Sequence, residues 1–279
     1  MTQLTVKNHN RDVAGYRYIY PVISRRSGGL SIGINVNTNN ACNWGCVYCQ
    51  VPDLKIGAAP ELDIALFESE LKQFLDDVLQ GDFYQRFNIP LEQQVIKDIA
   101  ISGNGEPTSL LNFASLIESM LKVVTAANIP NEFQYVLITN GSLIHKAEVQ
   151  AGLKLLHQQG GQVWFKVDSV SESGRKAINH SAITAQQQLN NLRLSTQCCD
   201  TWIQSCLLNY QNVGLISEQE QIDYLTLLQQ APINGVMLYS LARESCQPES
   251  AEISSVSLQE LEALADKIRG LDIKVKVSL

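Results

Sequence analysis

Apolar residues along the chain follow two patterns that alternate. Short runs in which every other position, or nearly every position, is apolar predict strands, and longer runs with apolar residues three or four apart predict helices. The stretch 64–79 is a clear helix of this kind, and Gly81 follows it as a stop signal. Strands are predicted at 16–23, 30–36, 95–102, 133–139, 163–167, 202–208, 236–241 and 273–277. Further helices are predicted at 110–127, 146–158, 184–194, 218–230 and 258–269.

The alternation of strands and helices determines the expected fold class. Each strand–helix–strand unit makes a right-handed crossover between parallel strands, so the chain predicts an α/β fold with a parallel sheet. Six such units make an open, partial (β/α)6 barrel, fewer than the eight of a closed barrel. No Gly/Ser linker or block of charge divides the chain. We therefore expect a single domain over residues 1–279, with an N-terminal extension of about residues 1–28.

Composition and charge restrict the partners. The 279 residues include 28 acidic and 21 basic side chains, and the resulting formal charge of −7 repels a phosphate backbone. Nucleic acid is therefore not the default partner. No apolar run reaches the roughly 20 residues that cross a bilayer, and the polar N-terminus lacks the apolar stretch of a secretion signal. We expect a cytoplasmic protein without a membrane partner.

Cysteine usage adds candidate chemistry. The chain has seven cysteines, an odd number, and Cys42, Cys46 and Cys49 fall within eight residues of one another. This layout is a poor disulfide framework, whereas clustered thiols in a reducing compartment suggest a metal. Three thiolates suit an iron–sulfur cluster or zinc. Because the loop follows the strand 30–36, we expect the three thiols at the mouth of the barrel.

The cysteine loop lacks a local fourth ligand. Structural zinc is normally bound by four Cys or His residues, and the nearest histidines on either side are His9 and His145. A cluster of four irons held by three cysteines would instead leave one iron open to a substrate or cofactor. Zinc completed by a distant residue, or three merely buried cysteines, are the alternatives. Cys198 and Cys199 are interpreted as structural, and Cys206 is either a residue near the cofactor or a small core residue.

Polar residues follow the other predicted strands at their carboxyl ends, where a parallel barrel binds its ligands. The candidates are Gly103, Asn104, Gly105, Glu106 and Pro107 after the second barrel strand, Thr139 and Asn140 after the third, Lys166 and Asp168 on the fourth, Gln204 and Asn209 on the fifth, and Arg243 after the sixth. An ordinary strand-to-helix turn is the alternative for the glycine-rich segment, since glycine permits both tight turns and close approach of a ligand.

Each of the later candidates has a functional and a structural interpretation. Lys166 and Asp168 form either a structural ion pair or a contact to a ribose, a carboxylate or the substrate, because a buried charge needs a partner. Gln204 and Asn209 suit the ribose or adenine of a cofactor. Arg243 suits a carboxylate or phosphate of the substrate, or is simply solvated.

Together, the cysteine loop and the glycine-rich turn resemble the signature of the radical S-adenosylmethionine (SAM) superfamily. Residues 42–49 have the form CxxxCxYC with Tyr48 before the last cysteine, residues 102–108 (SGNGEPT) resemble a variant GGE motif, and residues 139–141 are similar to the family's TNG. The resemblance implies a 4Fe-4S cluster held by Cys42, Cys46 and Cys49. It also implies SAM on the open iron, beside Tyr48 and the strand-end residues.

That resemblance carries expectations about the reaction. An external electron donor of the flavodoxin or ferredoxin type would reduce the cluster, and SAM would be cleaved to a 5'-deoxyadenosyl radical that abstracts hydrogen from a substrate. Lys166, Asp168 and Arg243 are the residues expected to take part in catalysis. The substrate, whether a small molecule, a peptide or RNA, is not identified by these motifs.

The resemblance extends over nearly the whole chain to a wyosine-synthase-like and pyruvate-formate-lyase-activating-like group. The matching stretches are 21–26, 31–34, 42–50, 102–108, 165–168 and 178–179. Wyosine-forming enzymes modify a guanosine of tRNA and bind a second cluster through N-terminal cysteines, and no cysteine precedes Cys42 here. A tRNA-modifying enzyme and a glycyl-radical activase are the alternatives within the family. A non-catalytic metal-binding scaffold is the alternative outside it.

Overall fold

A computed structural model of the protein describes residues 14–24 and 28–278. Residues 1–13 and 25–27 of the expected N-terminal extension lie outside the described residues. The strands are β1 (Ile19–Ser24), β2 (Gly29–Ile34), β3 (Ala41–Cys42), β4 (Lys55–Ile56), β5 (Ile96–Ile101), β6 (Gln134–Thr139), β7 (Gln162–Lys166), β8 (Asp200–Cys206), β9 (Leu208–Asn209), β10 (Gly235–Tyr239), β11 (Ser254–Ser255) and β12 (Val275–Ser278). The helices are α1 (Ile64–Gln80), α2 (Phe83–Arg86), α3 (Phe113–Ala127), α4 (Ala147–Gln158), α5 (Glu172–Asn179), α6 (Ala185–Cys198), α7 (Glu218–Leu228) and α8 (Leu258–Arg269).

An eight-stranded sheet forms the centre of the fold, in the order β1–β2–β5–β6–β7–β8–β10–β12. The seven strands from β2 to β12 are parallel, and β1 is antiparallel to β2 at one edge. Six helical crossovers connect the seven parallel strands, and the sheet curls into an open half-barrel. The predicted partial (β/α)6 barrel is therefore confirmed.

The hydrophobic core lies between the sheet and the helices that cover it. On α1, Phe67, Leu71 and Phe74 are all fully buried, as the helical spacing of apolar residues predicts. Full burial of a side chain of this size contributes about 1.5–3 kcal/mol relative to its exposure. Asp63 begins the helix by accepting a hydrogen bond from the Leu66 backbone N–H at 3.0 Å, which satisfies one of its unpaired donors.

Two local features differ from the sequence prediction. Helix α3 begins at Phe113 rather than at residue 110, because Pro107–Ser109 form a 3₁₀ turn and Leu110 then adopts an extended conformation. Helix α5 was not predicted, because its sequence is short and mostly polar. Ser171 caps α5 by accepting from the Gly174 N–H at 3.0 Å, and the helix ends beside the cysteine loop.

Candidate active site at the mouth of the half-barrel

The cysteine loop connects β2 to α1 at the carboxyl ends of the parallel strands. Cys42 belongs to β3, whose pairing with β4 fixes the start of the loop. Two backbone hydrogen bonds attach the loop to the end of α5. Gly45 N donates to Asn179 O at 3.1 Å, and Val47 N donates to Ile178 O at 2.9 Å. Helix α5 therefore supports the middle of the loop, between its first and last cysteines.

The segment after β10 holds the other side of the loop. Ser245 Oγ donates to Val47 O at 2.7 Å and to Cys49 O at 3.1 Å. Cys246 N donates to Cys49 O at 2.9 Å, and Gln247 Nε2 donates to the same oxygen at 3.2 Å. These bonds end on backbone oxygens, so they fix the path of the chain on this side of the loop.

The three thiols of the loop have the chemistry that an iron–sulfur cluster requires. None forms a disulfide, and all three residues are partly exposed. Burial raises the pKa of the Cys42 thiol to about 12, although a hydrogen bond from Trp44 N lowers it in part. Burial also raises the pKa of the Cys46 thiol. Thiols whose pKa is raised in this way stay protonated until a metal replaces the protons. Among the described residues, no three Cys, His, Asp or Glu side chains converge as ligands of a single ion. Cysteine thiolates are the usual ligands of iron–sulfur clusters, and the three thiols of this loop are of that type.

The glycine-rich turn after β5 packs directly against the cysteine loop. A Cβ atom on Gly105 would lie 1.9 Å from Ala41 O, so only glycine allows this approach. Asn35 Oδ1 accepts from Asn104 N at 3.0 Å and holds the turn from the end of β2. Asn37 Nδ2 donates to Ala41 O at 2.8 Å, whereas its Oδ1 is buried and no described residue donates to it. This one buried acceptor suits a group that carries hydrogen-bond donors, such as an ammonium.

Glu106 lies behind the turn and connects it to the end of β6. Its Oε1 accepts from Thr108 N at 3.0 Å, Thr108 Oγ1 at 2.6 Å and Thr139 Oγ1 at 2.6 Å, and its Oε2 accepts from Asn140 N at 2.7 Å. Burial raises the pKa of the carboxyl group, although all four donors oppose this effect. The predicted site residues Glu106, Thr139 and Asn140 are thus brought together, with the carboxylate directed at β6. Pro107, also predicted, is buried next to it.

Asp168 is the centre of a buried polar network below the cysteine loop. Its Oδ2 accepts from Tyr48 Oη at 2.5 Å and from Asn179 Nδ2 at 2.9 Å. Its Oδ1 accepts from Cys206 N at 2.9 Å and lies 3.2 Å from Lys166 Nζ. Every donor converges on a carboxylate whose side chain is fully buried, so Asp168 joins the cysteine loop, β7 and β8.

Lys166 lies between two aromatic rings. Its Nζ is 5.0 Å from the ring centre of Tyr48 and 4.7 Å from that of Tyr239, and it also hydrogen-bonds Tyr239 Oη. Burial is the largest influence and disfavours the charged form of Lys166, but the Asp168 carboxylate, Tyr239 and Cys206 together outweigh it and raise the pKa of the amine above its ordinary value. Burial raises the pKa of both tyrosines. Lys166 is therefore a cation and both tyrosines are neutral at physiological pH.

A cavity of about 1170 Å³ extends from the mouth into the half-barrel. The predicted site residues that line it are Tyr48, Cys49, Gly103, Asn104, Gly105, Lys166, Gln204 and Arg243. Lys166 and Gln204 are neighbours across β7 and β8. Gln204 is 4% exposed, and no described residue hydrogen-bonds its side-chain amide. Trp164 lines the same wall, and its buried Nε1 has no acceptor among the described residues. Lys166 and Gln204 are thus the polar residues by which this wall lines the cavity.

The remaining predicted residues lie at the rim of the cavity or away from it. Asn209 is exposed in β9, where its Nδ2 donates to Ser255 O at 3.2 Å, and it is not part of the cavity lining. Arg243 lies at the exposed rim. Cys199 Sγ donates to Gly161 O at 3.2 Å within the core, as expected for a structural cysteine. The sequence interpretation missed Asn179 as a site residue, although the stretch 178–179 already belonged to the resemblance.

The fold and the site together define an open parallel α/β half-barrel with a three-thiol loop at its mouth, above a large cavity. The model of the Radical SAM superfamily matches residues 36–215, and the chain belongs to that superfamily. Membership of this superfamily implies a 4Fe-4S cluster, SAM and an external reductant.

Curated relatives match part of the chain. A protein named GTPase Obg from Brachyspira hyodysenteriae is 30% identical over 140 residues, which cover 49% of this chain and 17% of that protein. A UPF0026 protein of Methanocaldococcus jannaschii is 30% identical over 161 residues, 57% of this chain and 42% of its own length. The Synechocystis UPF0026 protein slr1464 is 24% identical over 188 residues, which cover 64% of this chain and 59% of that protein. The aligned region thus covers less than two thirds of each of these relatives.

Solved structures share the fold at low sequence identity. Streptococcus suis SuiB bound to SAM superposes with a TM-score of 0.59 at 12% identity, over 91% of this chain and 52% of that one. TYW1 with a lysine-pyruvate adduct superposes with a TM-score of 0.58 at 18% identity, over 86% and 73% of the two chains. Among the described residues, no helix combines the length and apolarity needed to span a membrane.

Proposed function

We propose that this chain binds a 4Fe-4S cluster through Cys42, Cys46 and Cys49 and uses it to cleave SAM reductively. The observation that carries the proposal is the arrangement of three thiols on one loop, none of them in a disulfide, with the loop held from both sides and placed over a large cavity. The cluster, when bound, supplies the electron that breaks a carbon–sulfur bond of SAM. The chain's residues bind the reactants, orient them and shield them from water.

The glycine-rich turn is the proposed SAM site. Gly103, Asn104 and Gly105 line the cavity next to Cys49, and the unsatisfied Asn37 acceptor lies behind them. The backbone and amide oxygens of this region suit the ammonium group of SAM. In this proposal Glu106 acts indirectly, because four donors already occupy its carboxylate and hold the turn in place.

The wall formed by β7 and β8 is the proposed contact surface for SAM and substrate. Gln204 offers a donor and an acceptor, and Lys166 offers a fixed positive charge. Arg243 at the rim is the proposed contact for a substrate carboxylate or phosphate. The cavity of about 1170 Å³ exceeds the 300–1,000 Å³ of most small-molecule pockets, so there is room for SAM together with a second reactant.

Anaerobic reconstitution tests the proposal. The wild-type protein should bind about four irons per chain and release 5'-deoxyadenosine from SAM once it is reduced with flavodoxin or dithionite. Cys42→Ala, Cys46→Ala and Cys49→Ala should each abolish this product, and the matched variant Cys199→Ala should retain it. A protein that binds a single zinc, or a cluster that never cleaves SAM, would refute the proposed function.

A further inference from the structure

We propose that Asn179 is a positioning residue that sets the reduction potential of the cluster through its hydrogen bond to Cys46. The inference rests on the proposed function, since it requires a cluster on the cysteine loop. Asn179 is 1% exposed and ends α5. Its side-chain amide donates to Cys46 Sγ at 3.3 Å and to Asp168 Oδ2 at 2.9 Å.

The amide group of asparagine is well suited to this position. Its Nδ2 carries two hydrogens, so the bonds to Cys46 and Asp168 form at the same time. Both acceptors are anionic once Cys46 ligates iron, and a carboxylate at position 179 would be repelled by both. The position is fixed from both directions, because Asn179 O accepts from Gly45 N while His180 terminates the helix in a left-handed conformation with φ 48°.

A hydrogen bond to a ligating sulfur changes the redox equilibrium of a cluster. The donor neutralises part of the negative charge on the thiolate, and the reduced cluster carries one more negative charge than the oxidised one. The donor therefore stabilises the reduced state more and raises the reduction potential. The bond is charge-assisted when Cys46 is a thiolate, and its donor, Asn179, is buried. Among the described residues, Asn179 is the one whose side-chain N–H donates to Cys46 Sγ.

The same side chain connects the cluster ligand with the Asp168 network. Asp168 also contacts Lys166 and Tyr48, both of which line the cavity. Loss of the Asn179 amide removes one of four donors to Asp168, while the backbone bonds that hold the loop are retained. Asn179→Ala is therefore expected to keep the cluster and to change its potential.

A potentiometric titration of the reconstituted holoenzyme tests this inference, with the reduced cluster measured by electron paramagnetic resonance. Asn179→Ala should lower the ratio of reduced to oxidised cluster at a fixed potential about tenfold, which is 59 mV for a one-electron couple. Ser245→Ala is the matched control. It removes two hydrogen bonds to the same loop, but both end on backbone oxygens, so its potential should equal that of the wild type.

The outcomes separate this inference from the proposed function. A wild-type protein without a four-iron cluster would refute the proposed function itself. If the loaded Asn179→Ala protein titrates like the wild type, or if Ser245→Ala shifts equally, the role of the amide is refuted. Asn179→Ser provides a second variant, whose hydroxyl retains a shorter donor and should give an intermediate or smaller shift. Loss of iron from both Asn179 variants, with iron retained in Ser245→Ala, would make Asn179 a structural residue and overturn the inference.

Discussion

Removal of the charge on Asp168 should destabilise the fold more than removal of the charge on Lys166. The two side chains are 0% and 12% exposed, with 3.2 Å between the charged atoms. Asp168→Asn leaves the Lys166 ammonium buried without a counter-charge, and breaking a buried pair in this way costs about 3–5 kcal/mol. Lys166→Met leaves Asp168 with three donors, from Tyr48, Asn179 and Cys206. Its cost should be that of one lost charged hydrogen bond, about 1.5–3 kcal/mol.

Urea unfolding of the two single variants and the double variant, followed by circular dichroism under anaerobic conditions, measures this asymmetry. The double variant leaves neither charge unpaired, so its cost should be smaller than the sum of the two single costs. The difference is the coupling energy of the pair. The reasoning is refuted if Lys166→Met is as costly as Asp168→Asn, or if the two costs add without coupling.

Two further predictions concern the glycine-rich turn. Burial raises the pKa of Glu106 above its ordinary value of 4.5. At a pH between 4.5 and the raised pKa, the folded state therefore holds a proton that the unfolded state has released. The free energy of unfolding should therefore fall as pH rises through that window. Urea titrations at a series of pH values measure this trend, and Glu106→Gln should flatten it. Identical pH profiles for the wild type and Glu106→Gln would contradict the prediction. Gly105→Ala places a Cβ 1.9 Å from Ala41 O and should cost about 1–3 kcal/mol or more. Gly57→Ala places its Cβ 3.4 Å from the Ala41 Cβ and should cost less than about 0.5 kcal/mol. Equal melting temperatures for the two alanine variants would show that the close approach is not limiting.

The periodicity of apolar residues was sufficient to predict the half-barrel. Buried strands and amphipathic helices each carry their own local signal, so their alternation indicated the parallel sheet before any contact was known. Local signals also explain the misplaced start of α3. The turn at Pro107–Ser109 depends on Glu106 accepting from Thr108 N, and a run of residues that favours a helix does not reveal such a bond.

The role of Asn179 illustrates what a single sequence does not reveal. Its contact with Cys46 joins residues 133 positions apart, and it exists because the end of α5 packs against the cysteine loop. Glu106 is a second residue whose contacts a single sequence does not reveal. Its motif predicts a cofactor contact, and in the structure its carboxylate accepts hydrogen bonds from Thr139 and Asn140, some 33 positions away. Strand-end position alone locates a residue near the mouth without specifying which way its side chain is directed.

The two edge strands, β1 and β12, have a mechanical consequence. They lie at opposite ends of the strand order, so the described sheet is not closed by hydrogen bonds between them. A closed barrel has its radius fixed by strand number and shear, and an eight-stranded one is filled by its own side chains. In an open sheet, the width of the cavity instead depends on the sum of the twist angles between neighbouring strands, each about 20–25° in magnitude. A change of a few degrees in the twist of each of the seven strand pairs adds up across the sheet. Conservative substitutions spread over several strands can therefore change the width of the cavity. Related chains can thus evolve to accept larger or smaller reactants without altering the loop that carries the cysteines.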